Sequence, residues 1–273
     1  MKRTIGIERE WFILREGKIV PLIGILLPQL QMISKEINGH NTSEDDLIHP
    51  ELINLPKPFK SIADKDVFGF ELFAGQVEDR THIHKAIEDV IANLGANEKI
   101  LVFIGRKLGL EFKCVDFVPE EELGTLVVNP FDERHQEIWS KLEHHRKVGA
   151  SQVAAIHVHV GVTEDEVVRV LNYCRPGVIN YLAAMGDFSN GQRLAGYRVM
   201  AGVYGDPPIM DSFEDTLRYI ERKGGERDVW DMVRYKPRTK TIEFRMFGAT
   251  NNYVKIREFI AASLDIVDQA VRH

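Results

Sequence analysis

Acidic, imidazole and guanidinium side chains occur as pairs at four places in this chain. The pairs are Glu8 with Glu10, Glu71 with Glu78, His157 with His159, and Glu243 with Arg245. In three of the pairs the residues are two positions apart, and residues two apart on a β-strand point to the same face of the sheet. Carboxylates gathered on one face repel each other unless cations lie between them, and carboxylate oxygens favour Mg²⁺ or Mn²⁺. The pattern predicts a divalent-metal site, beside which a cationic arginine suits a transferring phosphoryl group.

The overall composition indicates a globular protein with a small-molecule partner. The chain has 273 residues, of which 44% are apolar and 28% charged, and no shift in composition divides it. We therefore expect a single domain over residues 1–273. The formal net charge is −6 and Lys and Arg form no block. This charge pattern argues against a nucleic-acid binder and against a protein that binds anionic membranes.

The cysteine content and the hydropathy bear on the cellular compartment in which the protein is expected to lie. Only Cys114 and Cys174 occur, far apart and without a CxxC or Cys/His metal spacing. Neither a disulfide framework nor a structural zinc site is therefore indicated. No run of about 18 apolar residues exists and no cleavable apolar segment opens the chain. We expect a soluble protein of the reducing cytoplasm.

The hydrophobic periodicity predicts a mixture of strands and helices. Strands are predicted over residues 4–14, 18–22, 68–78, 110–117, 154–162 and 240–247, and helices over 28–37, 81–108, 132–147, 163–173, 213–222 and 253–271. Strands and helices do not alternate in a regular βα rhythm. A mostly antiparallel α+β sheet is therefore favoured over a parallel doubly wound one.

Two local signals mark helix ends. Thr163 is followed three residues later by Glu166, which matches a capping box, so a helix begins there. Pro176 is expected to break this helix before a second helical piece that ends at Met185.

Three segments are expected to interrupt regular structure. Gly95 interrupts or ends the helix predicted over 81–108. The stretch 38–65 contains three prolines among polar residues and is expected to be an irregular connection and a mobile cover. Arg193, Tyr197 and Arg198 fall in a Gly-rich stretch that is expected to be a loop.

Common nucleotide-binding and hydrolase motifs are absent from the sequence. It contains no GxxxxGK[ST] loop, dinucleotide fingerprint, GxSxG elbow or HExxH helix. A nucleotide must therefore be held in another way. Phosphates bridged by metals on a carboxylate-lined sheet are one such way.

Four short segments carry the polar pairs, in the order IGIERE at 5–10, ELFAGQVE at 71–78, HVHVGV at 157–162 and TIEFR at 241–245. In sequence and in order they resemble the glutamate-cysteine ligase and carboxylate-amine ligase family. The stretch 188–219, with Gly191, Arg193, Gly196 and Tyr197, is similar to the family's segment of glycine, arginine and Gly-Tyr followed by a helix. The resemblance touches most of the chain.

The resemblance implies a fold similar to the glutamine synthetase and guanidino-kinase superfamily. In that fold a curved, mostly antiparallel sheet forms a funnel, with helices packed on its outer face. The implied activity is that of an ATP-dependent ligase acting through a single catalytic domain. ATP phosphorylates a small carboxylate such as glutamate, and an amine attacks the acyl phosphate with release of ADP and phosphate. Mg²⁺ or Mn²⁺ would be required, and a homodimer is expected at the family level.

The resemblance also implies a role for individual residues. The implied metal ligands are Glu8, Glu10, Glu71, Glu78, His157 and Glu243. The implied catalytic residues are Glu243 and Arg245, of which Arg245 would meet the transferring phosphoryl group. The residues that would contact substrate or nucleotide are Arg193, Tyr197, Arg198 and His159.

Each of these residues also fits a purely structural interpretation. Paired glutamates on a strand usually form a solvated face, and a histidine in an apolar strand is often a hydrogen-bonded core residue. Glu243 and Arg245 also fit a plain intrastrand ion pair. The remaining histidines with polar flanks are expected to be exposed: His82, His84, His144 and His145.

Two other classes of function stay open. A metal-dependent phosphotransferase or hydrolase would use the same site without forming an amide. A nucleotide-binding regulatory protein would keep the fold without turnover. The second is permitted because Arg198 directly follows Tyr197, whereas the family's arginine comes four residues after the tyrosine, a place held here by Ala201.

Overall fold

The strands of the protein form one sheet. The computed structural model of the protein describes residues 2–39, 67–201 and 206–272. Within these residues the strands are β1 (Ile5–Arg15), β2 (Lys18–Ile19), β3 (Phe68–Phe70), β4 (Gln76–Arg80), β5 (Glu111–Lys113), β6 (Ala155–Gly161), β7 (Val233–Lys236) and β8 (Thr241–Gly248).

Strand β1 lies near the middle of the sheet. The strand order is β3-β4-β1-β6-β8-β7, and the short strands β2 and β5 also pair with β1. All these pairings are antiparallel. The predicted α+β architecture with an antiparallel sheet is therefore confirmed, whereas the funnel shape stays a prediction.

Nine α-helices accompany the sheet in the described parts of the chain. They are α1 (Ile23–Gly39), α2 (Ile87–Leu108), α3 (Glu133–Lys141), α4 (His144–Gln152), α5 (Glu164–Tyr173), α6 (Pro176–Met185), α7 (Gln192–Ala201), α8 (Phe213–Arg222) and α9 (Tyr253–Arg272). None of these helices combines the length and the apolar character needed to span a membrane.

The central strands have an apolar face and a polar face. On β6, Ile156, Val158 and Val160 are buried in a large apolar cluster that also contains side chains of α5, α6 and α9. Each such side chain contributes about 1.5–3 kcal/mol through burial. His157 and His159 alternate with them and point to the other face. Packing of the helices on the apolar face thus leaves the polar face for a site.

The two predicted helix boundaries around α5 and α6 are confirmed. Thr163 is the N-cap of α5 and forms a reciprocal capping box with Glu166, whose Oε2 accepts the Thr163 N–H at 2.9 Å. Pro176 lies in the first turn of α6, where its missing N–H leaves no bond unmade.

Helix α2 continues through Gly95, so the predicted interruption at this residue is wrong. Val90, Leu94 and Leu101 of the same helix are buried. Their packing outweighs the cost of about 1 kcal/mol for glycine within a helix. The helix ends instead at Gly109, whose φ of 64° is the left-handed conformation that favours glycine.

Several other predicted elements have different bounds. The strand predicted over 68–78 is split into β3 and β4, and the strand over 110–117 is limited to β5. The helix predicted over 132–147 is two helices, α3 and α4, because Leu142 is extended between them. Strand β7 has no counterpart among the predictions. The connection predicted over 38–65 lies outside the described residues from residue 40 onward.

Candidate functional site

A cavity of about 1030 Å³ lies over the polar face of the sheet. The residues of the predicted pairs that line it are Glu8, Glu10, Glu71, Glu78, His157, His159 and Arg245. Glu243 is fully buried beside them, with an exposed fraction of 0%. The structure therefore brings the four pairs together at one place.

The strand register places these side chains next to each other. Glu8 pairs with His157 across β1 and β6, and His159 pairs with Glu243 across β6 and β8. Directly paired residues of an antiparallel sheet share a face. The antiparallel pairing of three strands thus assembles residues from near the two ends of the sequence, Glu8 and Glu243.

Glu8, His157 and Glu243 form a group that fits a metal ion. His157 Nδ1 lies 3.2 Å from Glu8 Oε2 and 3.5 Å from Glu243 Oε1. One ligand atom from each of the three residues lies within 4.8 Å of the others. Carboxylates suit Mg²⁺ or Mn²⁺ and an imidazole suits transition metals, so this donor set accepts Mn²⁺ at least as well as Mg²⁺.

The surrounding charges set the protonation states of this group. Burial, followed by the charge of Arg245, lowers the pKa of His157 to about 4, so the imidazole is neutral at pH 7. Burial opposes ionisation of Glu243, but Arg234 and Arg245 outweigh it and hold the pKa of Glu243 well below its usual value. A neutral imidazole and an ionised carboxylate are the forms that bind metals.

His159 lies beside the group with an unsatisfied nitrogen. Its Nδ1 is 3.2 Å from Thr241 Oγ1. Its Nε2 is buried, 3.5 Å from Glu8 Oε1, and makes no hydrogen bond within the described residues. Burial opposes ionisation of Glu8, but the charge of His159 and the hydrogen bond with His157 hold the pKa of Glu8 well below its usual value. The contact of this nitrogen with Glu8 is therefore a long ion pair at the edge of the cavity.

A second acidic group adjoins the first. Glu10 and Glu78 pair directly across β1 and β4, and Glu71 lines the same cavity. Burial and the charge of Glu78 raise the pKa of Glu10 to about 8. Burial and the charges of Glu10 and Glu78 raise the pKa of Glu71. Burial also raises the pKa of Glu78, although Arg80 Nε lies 2.8 Å from the Glu78 carboxylate. Carboxyls crowded in this way keep protons unless a cation joins them, so the donor set suits a second cation.

Arg234 belongs to the site although the sequence did not indicate it. It lies opposite Glu243 on β7, and its Nε and Nη2 donate to the Glu243 carboxylate at 2.5 and 3.1 Å. Arg245 Nη1 donates to the same carboxylate at 2.9 Å. A signal was present in the alternation of apolar and cationic residues over Val233–Lys236, which is typical of a hairpin strand before a turn.

Arg193 lies on helix α7, so the Gly-rich loop predicted at this place is wrong. Leu194, Ala195 and Met200 favour a helix, which explains the difference. Arg193 is buried, and its guanidinium donates to the carbonyl oxygens of three residues at 2.9–3.0 Å. These residues are Ala154, Arg245 and Met246. Arg193 therefore holds the backbone behind the cavity as well as lining it.

The other two residues predicted on this segment lie in different settings. Tyr197 is buried, lines the cavity and donates its hydroxyl to the carbonyl of Trp230 at 2.7 Å. Arg198 is exposed and is not among the residues that line the cavity. Its position gives no support to the predicted contact with substrate or nucleotide.

The four histidines that were predicted to be exposed also differ in setting. His144 and His145 are exposed, as predicted. His82 and His84 are half-buried and line the cavity, so their predicted exposure is wrong. His84 Nε2 lies 3.0 Å from Asn93 Oδ1. The two residues directly follow β4, which brings them to the cavity.

Comparison with known protein families identifies the family of the chain. The family model described as glutamate-cysteine ligase family 2 (GCS2) matches residues 4–270. The chain belongs to this family. No curated protein gives a significant sequence match to this GCS2 chain.

A solved structure shares the fold of this GCS2 chain. A bifunctional glutathione synthetase from Pasteurella multocida aligns over 99% of this chain and 39% of that chain, with a TM-score of 0.55 and 13% sequence identity. A glutamine synthetase from Plasmodium falciparum aligns over 98% of this chain and 52% of that chain, with a TM-score of 0.46 and 13% identity. The GCS2 chain thus spans 39% of the length of the first synthetase.

Proposed function

We propose that the protein is an ATP-dependent ligase that joins a small carboxylate to an amine. The observation that carries the proposal is the group of Glu8, His157 and Glu243, whose ligand atoms lie within 4.8 Å of one another in a chain of the GCS2 family. The proposed donor is glutamate or a similar amino acid, and the acceptor is a small amine.

The reaction has two steps. A carboxylate oxygen of the donor attacks the γ-phosphorus of ATP, the bond from this phosphorus to the bridging oxygen of ADP breaks, and an acyl phosphate forms. The amine nitrogen then attacks the acyl carbon, the bond from this carbon to the phosphate oxygen breaks, and the nitrogen loses a proton. The products are an amide, ADP and phosphate.

The two acidic groups are the places where the required cations would bind. The proposed ligands are Glu8, His157 and Glu243 in the first group, and Glu10, Glu71 and Glu78 in the second. Bound Mg²⁺ or Mn²⁺ would screen the repulsion between the phosphates of ATP and the carboxylate substrate. The first group contributes ionised carboxylates and a neutral imidazole that are already in place in the folded chain. The carboxyls of the second group, whose pKa values are raised, would lose protons as a cation binds.

Arg245 contributes a fixed positive charge at the cavity. Its Nη1 is bound to Glu243 at 2.9 Å, and its Nε is buried without a hydrogen-bond partner within the described residues. A guanidinium held in this way stabilises charge that develops on phosphoryl oxygens, the effect that usually contributes most to such transfers. His159, which lines the same cavity and whose Nε2 makes only a long contact of 3.5 Å with Glu8 within the described residues, is the proposed contact to nucleotide or substrate.

The size of the cavity supports a reaction between two substrates. Its volume of about 1030 Å³ is at the upper end of the range of about 300–1,000 Å³ for small-molecule sites. This space accommodates a nucleotide next to a second small molecule. Orientation of the amine towards the acyl group can lower the barrier by about 7–11 kcal/mol.

Incubation with ATP, Mg²⁺ and pooled amino acids and amines tests the proposal. ADP release and the masses of new products are measured in the same samples. An amide mass that appears only with both a carboxylate and an amine supports the ligase. Glu243→Gln should abolish the product, whereas His144→Ala, at an exposed position, should not.

Two results would favour the alternative classes of function. ADP release without an amide mass would indicate a phosphotransferase or a hydrolase. Nucleotide binding without ADP release in every mixture would indicate a regulatory protein.

A single catalytic domain over 1–273, a cytoplasmic location and a homodimer belong to the same proposal. One cooperative unfolding transition in calorimetry would support the single domain. Light scattering of the purified chain measures its mass in solution and so tests the homodimer.

A further inference from the structure

A buried ion pair lies behind the acidic face of the sheet. Arg9 has an exposed fraction of 0% and Asp79 of 1%. Arg9 Nε donates to Asp79 Oδ1 at 2.9 Å, and Arg9 Nη2 donates to Asp79 Oδ2 at 3.2 Å. A two-bond contact of this kind fixes the angle between its partners as well as their distance.

The two residues of the ion pair are neighbours, along their strands, of residues proposed to hold cations. Arg9 stands between Glu8 and Glu10 on β1, and Asp79 follows Glu78 on β4. Arg9 pairs with Asp79 in the register, next to the pair of Glu10 with Glu78. Successive residues on a strand point to opposite faces. The ion pair therefore lies on the helix side of the sheet, and the carboxyl groups lie on the cavity side.

The carboxyl groups on the cavity side work against this strand pairing. Glu10 and Glu78 are directly opposite, and burial raises the pKa of both. A cation held between them requires both to ionise, and like charges in that position destabilise an antiparallel pair. A buried ion pair offers no general gain in stability over an apolar pair of similar volume. Its directional hydrogen bonds, however, hold β1 and β4 in register at the place where the two carboxyls repel each other once they ionise to bind a cation.

The ion pair is itself held in place by neighbouring groups. Trp11 Nε1 donates to Asp79 Oδ1 at 2.7 Å, and Asn97 Nδ2 donates to Asp79 Oδ2 at 3.1 Å. Arg9 Nη2 also donates to the carbonyl of Leu94 at 3.1 Å. Leu94 and Asn97 belong to α2, so the pair links the two strands to this helix.

We propose that Arg9 and Asp79 are positioning residues that set the placement of the neighbouring carboxylates for cation binding. The inference rests on the proposed function, because it concerns the cations of the same site. The ion pair does not touch these cations. It acts by holding the strands that carry Glu8, Glu10 and Glu78.

Mn²⁺ binding to the full chain tests the inference. The dissociation constant is obtained from the loss of the free Mn²⁺ signal in electron paramagnetic resonance. The test variant combines Arg9→Met with Asp79→Leu, which removes both charges and keeps the interior filled. It leaves Trp11 Nε1 without its acceptor and Glu98 without its contact to Arg9, so its stability is measured as well. We expect a folded variant whose dissociation constant for Mn²⁺ rises about 10–100-fold, the usual effect of losing support behind metal ligands. The spectrum of the bound ion should change as well.

A second ion pair of the same kind provides the matched control. Arg3 binds Glu166 at 3.0 Å, is partly buried, and is not among the residues that line the cavity. Arg3→Met with Glu166→Leu should lower the stability of the fold but leave the affinity for Mn²⁺ at the wild-type value. A loss of affinity that only followed stability would appear in both double variants.

Two milder substitutions serve if the first double variant does not fold. Asp79→Asn keeps the shape and an acceptor for Trp11, and Arg9→Lys keeps the charge but loses the two-bond geometry. Both should bind Mn²⁺ more weakly than the wild type. Folded variants that bind Mn²⁺ as tightly as the wild type would overturn this inference alone. A wild type that binds no Mn²⁺ would overturn the proposed cation site and this inference with it.

Discussion

Arg234 on β7 and Glu243 on β8 face each other, and the guanidinium donates two hydrogen bonds to the carboxylate at 2.5 and 3.1 Å. Glu243 is fully buried, is also bound by Arg245, and has an oxygen 3.5 Å from His157 Nδ1. The guanidinium groups of Arg234 and Arg245 thus compensate for the loss of water around the ionised carboxylate of Glu243, which belongs to the proposed metal group.

Arg234→Met should destabilise the protein. Removing one partner of a buried ion pair costs about 3–5 kcal/mol, because the other charge is left without compensation. We expect the lower end of this range, since Arg245 remains bound to Glu243. Urea unfolding followed by circular dichroism measures the change in the free energy of unfolding.

Arg238→Met is the control for this substitution. Arg238 follows the same strand and is exposed, so its replacement should change stability by no more than about 0.5 kcal/mol. Equal losses in the two variants would show that Arg234 does not support Glu243.

Replacement of the first group of metal ligands should weaken metal binding. Loss of support around a metal ligand costs about 10–100-fold in affinity, so loss of a ligand itself should cost at least about 100-fold. Glu8→Gln and His157→Ala test this with Mn²⁺ in isothermal titration calorimetry. His145→Ala is the control, because His145 is exposed. Unchanged affinity in Glu8→Gln would remove Glu8 from the site.

Alanine substitutions at Arg193 and Arg198 should have very different effects on stability, although both residues lie on helix α7. Arg193→Ala leaves three carbonyl groups without their donor. At about 1–3 kcal/mol for each unsatisfied buried group, the loss should be about 3 kcal/mol or more. Arg198→Ala should change neither stability nor ADP release, because the side chain is exposed. Thermal unfolding and the ADP assay together measure both effects, and a loss of turnover in Arg198→Ala would return this residue to the site.

The ion pair of Glu166 with Arg3 should stabilise the protein above acidic pH. The hydrogen bond from Arg3 lowers the pKa of Glu166 from 4.5 to about 2. A lowered carboxyl pKa contributes stability that is fully present above the unfolded value and is lost as the pH falls towards the folded value. Glu166→Gln keeps a capping side chain but removes the charge. Its melting temperature should be lower than that of the wild type at pH 7.

The pH dependence of this difference is the decisive measurement. The gap in melting temperature should shrink as the pH falls from 4.5 towards 2, because the wild-type carboxylate becomes protonated over this range. A gap that stays constant between pH 7 and pH 2 would show that the charge of Glu166 contributes nothing.

The sequence predicted the parts of the fold whose causes are local. The capping box of Thr163 and the break at Pro176 act within one turn of helix, so a short segment is enough to show them. Prediction failed at Gly95, where packing of neighbouring side chains outweighs the cost of glycine in a helix, and at Arg193, where neighbouring residues that favour a helix outweigh the preference of glycine for loops.

For the site, the sequence by itself determined which side chains share a face of a strand. Glu8 with Glu10 and His157 with His159 follow from alternation along one strand, which requires no information about neighbours. Only the tertiary structure decided which strands lie side by side and in which register. That register brings Glu8 to His157 and His159 to Glu243, because pairing between strands far apart in sequence depends on contacts across the whole sheet and not on any local pattern.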